Sequence, residues 1–144
     1  MNYLINEAQF TLPDEGLQDA SINILKFASL GTSLIISRSP LADGETLQSN
    51  FDGQLKKLEQ QVKDLRYSPA QAVKVGTAQD IDAIEVQNRF SKGNEHIYQY
   101  QLALLIPGTR RMMALSYVKT QPLGAAEAVH WALIKNTLTL HVTP

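Results

Sequence analysis

The amino-acid sequence predicts an α+β domain: a twisted, mainly antiparallel sheet with a long central helix and a C-terminal helix. Three observations carry this prediction. Leu47, Phe51, Leu55, Leu58, Val62 and Leu65 recur at spacings of three or four residues, the period of one helix face. Segments of strand character lie on either side, joined by short turns rich in Gly, Pro, Asn and Asp. Strands and helices do not alternate as the repeating units of a parallel sheet would.

Taken in order, Tyr3 to Leu12 alternates loosely and stops at Pro13, Asp14 and Gly16, which reads as a short strand or strand pair closed by a turn. Ser21 to Phe27 follows, with Ile22, Ile24 and Lys26 on one side and Asn23, Leu25 and Phe27 on the other. After a turn at Gly31, Leu34 and Ile36 oppose Ile35 in the same way. The long helix is expected from Glu45 to Arg66, capped by Asp43, with Lys63 and Arg66 in its last turn and Pro69 forbidding continuation. Ala72 to Gly76 and Ile81 to Phe90 are further strands, and Lys92, Gly93 and Asn94 make a hairpin turn into the longest strand, His96 to Ile106. Pro107, Gly108 and Thr109 turn the chain back into Met112 to Val118. A closing helix from about Gly124 to Leu138 carries Ala128, Trp131, Ile134 and Leu138 on one stripe, and Leu140 to Pro144 adds a little strand or frays.

At 144 residues the chain is the length of one domain, and no linker, repeat or low-complexity tract divides residues 1–144. Thirteen Lys and Arg stand against fourteen Asp and Glu without a long basic run, so nucleic acid and anionic membrane are poor partners. The absence of cysteine excludes disulfides, thiolate metal sites and thiol nucleophiles. Neither a secretory leader nor an apolar run of transmembrane length is present, so a cytoplasmic location without membrane anchoring is expected.

Chemistry has little to build on. His96, His130 and His141 lack ligand spacing, no serine sits in a nucleophile elbow, and no glycine-rich phosphate loop precedes a helix. Asp80, Asp82 and Glu85 read as a solvated loop and strand, and Arg110 and Arg111 as a solvated hairpin end. No enzyme, metal or cofactor is expected. The informative anomaly is apolar surplus. With one face of the sheet receiving both helical stripes, Ile22, Ile24, Ile35, Ile97, Ala103, Leu105, Met112 and Val118 remain for the other face. Twist, loops or homodimer packing would cover them. So would an apolar ligand, met by Gln54, Gln61, Gln99 and Gln101, whose amides both donate and accept.

The run Asp19-Ala-Ser-Ile-Asn-Ile-Leu-Lys-Phe27, then Ile35-Ile-Ser-Arg38, Phe51 with Gln54-Leu55, and Tyr100-Gln-Leu102, resembles the DcrB-related family. Within it the chain is similar to the effector-associated chaperones of bacterial type VI secretion, Ser21-Ile-Asn-Ile24 being the most specific piece. The resemblance implies a PsbP-like fold and a homodimer. It also implies a specific role, in which the N-terminal transmembrane segments of an effector, usually beside a PAAR domain and sometimes an Rhs shell, are kept soluble until export. It places an apolar cradle on Ile22, Ile24, Ile35 and Val62, with polar contacts from Gln54 and Gln101. The loop Ala28 to Ser33 is short for the family. A lipid or small apolar ligand on the same face is the alternative occupant.

Overall fold

The computed structural model describes residues 1–13 and 15–141. In chain order these form β1 (Asn2–Leu4), β2 (Gln9–Thr11), β3 (Asn23–Phe27), β4 (Thr32–Pro40), α1 (Leu47–Gln61), β5 (Lys63–Tyr67), β6 (Gln71–Val75), β7 (Ile81–Lys92), β8 (Glu95–Leu105), β9 (Arg111–Lys119) and α2 (Ala125–Asn136). β1 and β2 pair with each other as a separate hairpin. The remaining strands build one sheet in the order β3-β4-β9-β8-β7-β5, with β6 also paired to β7, and every pairing is antiparallel. The molecule is thus the α+β, mainly antiparallel structure that the sequence predicts.

The strand order dictates where α1 lies. β4 and β5 run in the same direction and are separated by β9, β8 and β7, so the chain between them must cross one face. Four strand spacings of about 4.8 Å make roughly 19 Å, and a helix of 15 residues is about 22 Å long. α1 fits that crossing. Its inward residues Leu47, Phe51 and Leu55 pack with Leu41 on Val86 of β7, Ala103 of β8 and Met112 of β9. α2 follows β9 and lies on the opposite face, where Trp131 packs with Leu34, Leu102, Leu104, Leu115 and Tyr117. Each helix therefore covers its own face of the sheet, which corrects the expectation that one face takes both stripes. Ala103 and Met112, assigned above to the uncovered face, are buried beneath α1.

α1 is also shorter than its apolar spacing suggests. Thr46 caps it, its hydroxyl accepting from Ser49 N at 3.0 Å while Ser49 Oγ accepts from Thr46 N at 2.9 Å, so the cap is not Asp43. The helix stops at Gln61, Val62 is its extended C-cap, and Lys63 and Arg66 belong to β5 rather than to a last helical turn. Val62 and Leu65 satisfy the helical period, but the open edge of β7 takes Lys63–Tyr67 as a strand; a register shift and positive φ at Asp64 mark the change. On α2 the inward stripe is Glu127, Trp131 and Ile134, whereas Ala128 is exposed and Leu138 lies past the helix end. Leu140 joins the same core, and the rest of the expected terminal strand, residues 142–144, lies outside the described residues.

Candidate functional site

Directly opposed residues of an antiparallel sheet project to one face. On the α1 face one such row reads Ile24, Ile35, Ser116, Gln101 and Val86 across β3, β4, β9, β8 and β7. α1 closes only the Val86 end of it. Moving away from the helix, the floor is made of Gln101 and Ser116, then half-buried Ile35, then Ile24 on the edge strand, which is 59% exposed, as is Ile22 just before that strand. Ser33 and Ser37 flank Ile35 on this side of β4. The result is a shallow groove with α1 as one wall, small residues in its floor and isoleucines at its outer rim.

Where the floor meets the helix lies a cavity of about 290 Å³ lined by Phe51, Gln54, Leu55, Lys57, Leu58, Gln61 and Gln101. Gln54 and Gln101 thus face one space. The Gln101 amide is held from both ends: its Oε1 accepts from Asn88 Nδ2 at 2.7 Å and its Nε2 donates to Ser116 Oγ at 3.2 Å. Gln54 Nε2 donates to Asn50 Oδ1 at 2.8 Å, and its carbonyl oxygen accepts no hydrogen bond among the described residues. In the next row, Asn88 and Gln99 oppose each other, and each keeps a buried amide oxygen without a donor among the described residues. Unmet acceptors of this kind invite a hydroxyl or N–H from outside the sheet.

Both walls are anchored by side chains with no other part in the groove. Arg110 is exposed at the hairpin end, as expected, and there donates to the carbonyls of Ala42 and Glu45 at 3.0 and 3.1 Å, pinning the turn before α1. The Glu45 carboxylate accepts from Ala42 N and Asn50 Nδ2, and those bonds hold its pKa below the usual value. At the opposite rim, Asp19 accepts from the backbone and hydroxyl of Ser21, which lowers the carboxyl's pKa, and Arg111 donates to Asp19 O at 3.1 Å. The chain entering at Ile22 is thereby fixed in place. On the other face Arg38 donates to Asn23 Oδ1 at 2.7 Å, tying β3 to β4.

Of the residues singled out in the sequence, Ile24, Ile35 and Gln101 share one row and Gln54 faces Gln101, while Ile22 continues the exposed rim. Val62 stands apart. As the C-cap of α1 it lines neither the cavity beside Gln101 nor either core cluster. Sequence reasoning missed Asn88, Ser116 and Leu58. Asn88 shares strand parity with Ile84 and Val86, but its meeting with Gln101 depends on register, which local sequence does not disclose. The acidic cluster disperses: Asp82 pairs with Lys74 and Glu85 with Lys135, each at 2.6–2.7 Å. His130 is half-buried against Tyr117, at 2.8 Å from its hydroxyl, and His96 meets Ser91. Among the described residues no His, Asp and Glu side chains cluster as a metal ion would need, and no helix is long and apolar enough to cross a membrane.

An α+β sheet with one helix on each face and a groove along one of them is the architecture in hand. The DcrB family matches residues 7–137, and the chain belongs to that family. A crystal structure from Pseudomonas aeruginosa, of PA94, a protein of unknown function, shares the fold with a TM-score of 0.72 and 20% sequence identity over 99% of this chain and 98% of its own. No curated protein matches.

Proposed function

We propose that this chain is a cytoplasmic, homodimeric and non-enzymatic chaperone that holds the N-terminal transmembrane segments of a type VI secretion effector, of PAAR or Rhs type, in the groove beside α1 until export. The observation that carries the reading is the juxtaposition of exposed Ile22 and Ile24 with a small-residue floor and a fixed amide at Gln101. An apolar rim suits the lipid-facing surface of a guest helix. Fixed amides suit the Ser, Thr or Asn side chains such helices use to hydrogen-bond one another.

Magnitudes favour the fit. From β3 to β8 is three strand spacings, roughly 14 Å, and an α-helix with its side chains is about 10–12 Å across. A spanning segment of about 20 residues is about 30 Å long. Covering roughly 800 Å² of it at about 25 cal/mol per Å² yields about 20 kcal/mol gross. Association costs on the order of 4–15 kcal/mol. Holding such a segment therefore needs neither nucleotide nor catalysis.

The test is co-expression with the N-terminal apolar segments of a candidate effector, asking whether the two elute together without detergent. Co-elution is expected, and Ile24→Asp should abolish it while the variant keeps the melting temperature of the parent. Segments that precipitate beside a folded chaperone would overturn the proposal, and lipid recovered with the chain purified alone would favour a lipid-binding role for the same groove.

A further inference from the structure

The face that carries α2 holds a second feature. Across β5, β7, β8 and β9 one row reads Arg66, Arg89, Tyr98 and Lys119. Arg66 and Arg89 are directly opposed, so their Cβ atoms stand about 4.5–5.5 Å apart, an arrangement that costs energy when both charges are alike. Lys119 is neutralised by Glu127, but among the described residues neither arginine forms an ion pair or a side-chain hydrogen bond. Both arginines line two adjoining cavities. The first, about 390 Å³, also takes in Gln87 and Asn88 of β7 beside Tyr67, Ser68, Tyr98, Pro122 and Leu123, and has no carboxylate in its wall. The second, about 270 Å³, adds His96 and Asp64, and Asp64 reaches neither guanidinium.

We propose that Arg66 and Arg89 form a binding site for a small organic oxyanion, a carboxylate or phosphate monoester, whose apolar body lies along Tyr98, Pro122 and Leu123. Two adjacent guanidinium forks present donors in the planar geometry that paired oxygens accept, and an anion between them converts a repulsive pair into an attractive triad. The first cavity has the volume of a small-molecule site, and its mixed lining offers a charged end and an apolar side. Tyr98 sits between the arginine pair and the Lys119–Glu127 ion pair, so the row's remaining positive charge is concentrated at the β5 end.

The test titrates phenyl phosphate, benzoate and inorganic phosphate into the full chain and follows backbone amide shifts by NMR. Saturable shifts at Arg66, Arg89, Tyr98 and Leu123 are expected with at least one of the two aromatic probes, and weaker binding of inorganic phosphate. Arg89→Gln should weaken the better probe at least tenfold, which is about 1.4 kcal/mol, and Arg66→Gln with Arg89→Gln should remove saturable binding. Arg89→Lys should retain part of the affinity, because charge survives while the fork is lost. Lys74→Gln, in an exposed ion pair elsewhere, should leave binding unchanged. Shifts that never saturate, persist in the double glutamine variant, or saturate equally for inorganic phosphate would overturn the proposal.

Discussion

The sheet directly under α2 and the sheet beside α1 belong to the same strands, yet the first is packed tightly by the chain itself and the second is only partly covered. Beneath α2, Leu102, Leu104 and Tyr117 have no exposed surface. Tyr100 stacks on Tyr117 and Trp131 with ring centres 6.2 and 5.8 Å apart, and Phe27 meets His130 edge-on at 4.5 Å. Large aromatic rings span the gap between helix and sheet and leave little room. Beneath α1 the helix contributes one large ring, Phe51, which packs with Val86, Ala103 and Met112, and beyond Met112 the same side of β9 offers only Ala114 and Ser116 before Val118. Small floor residues under a diagonal helix leave the β3–β4 side open. Closure here therefore follows from side-chain size at alternate positions of β8 and β9, not from the number of helices.

One truncation on each face should separate the two most strongly. Leu102→Ala should cost about 2–5 kcal/mol, as cavity-forming core deletions do. Ile24→Ala, on the open face, should stay within about 0.5 kcal/mol. Urea unfolding of both variants measures the contrast, and equal losses would mean that the groove is core.

A more modest change is expected from acid. The Lys119 ammonium and the amide of Glu127 itself, in the first turn of α2, hold the Glu127 carboxyl below its ordinary value. A carboxyl lowered in the folded state stabilises it fully above the unfolded pKa of about 4.3, and that contribution disappears as pH falls through the lowered folded value. Melting temperature should therefore drop below about pH 4.3. Glu127→Gln should flatten that part of the profile while lowering stability at neutral pH. Because the pair docks α2, ring-current shifts of Tyr117 and Trp131 should move with the transition, and groove resonances near Ile35 should not.

The slightest change concerns the α1 wall. A Cβ at Gly53, in the middle of α1, would meet nothing within 4 Å, so Gly53→Ala should stabilise the chain by about 0.4–1 kcal/mol in chemical denaturation. A loss instead would show that the helix needs a yielding point there.

Much of this architecture is legible in the chain because periodicity is local. The alternation of β8 and β9 and the turns at Gly93 and Gly108 identify those hairpins without tertiary information. Side of the sheet is not local. The α1 stripe fits either face; β5 joining β7 at the far edge requires the chain to cross one of them, and it also removes Val62 and Leu65 from the helix their spacing suggests. At the groove, alternation pairs Ile22 with Ile24, but Asn88, Gln101 and Ser116 come together only through the register of three strands. Arg110 and Arg111 look like solvent charges because the carbonyls they clamp, on Ala42, Glu45 and Asp19, are remote in sequence.

The pairing of β4 with β9 has a consequence for synthesis. Ser33 waits for Val118, and Pro40 for Arg111, so the hairpin bearing Ile24 and Ile35 has no neighbour in the sheet until most of the chain has been made. Contacts this distant in sequence form slowly, and an unpaired strand with apolar residues on both sides is open to wrong partners meanwhile. On the ribosome, the surface proposed to shelter another protein is itself among the last to find shelter.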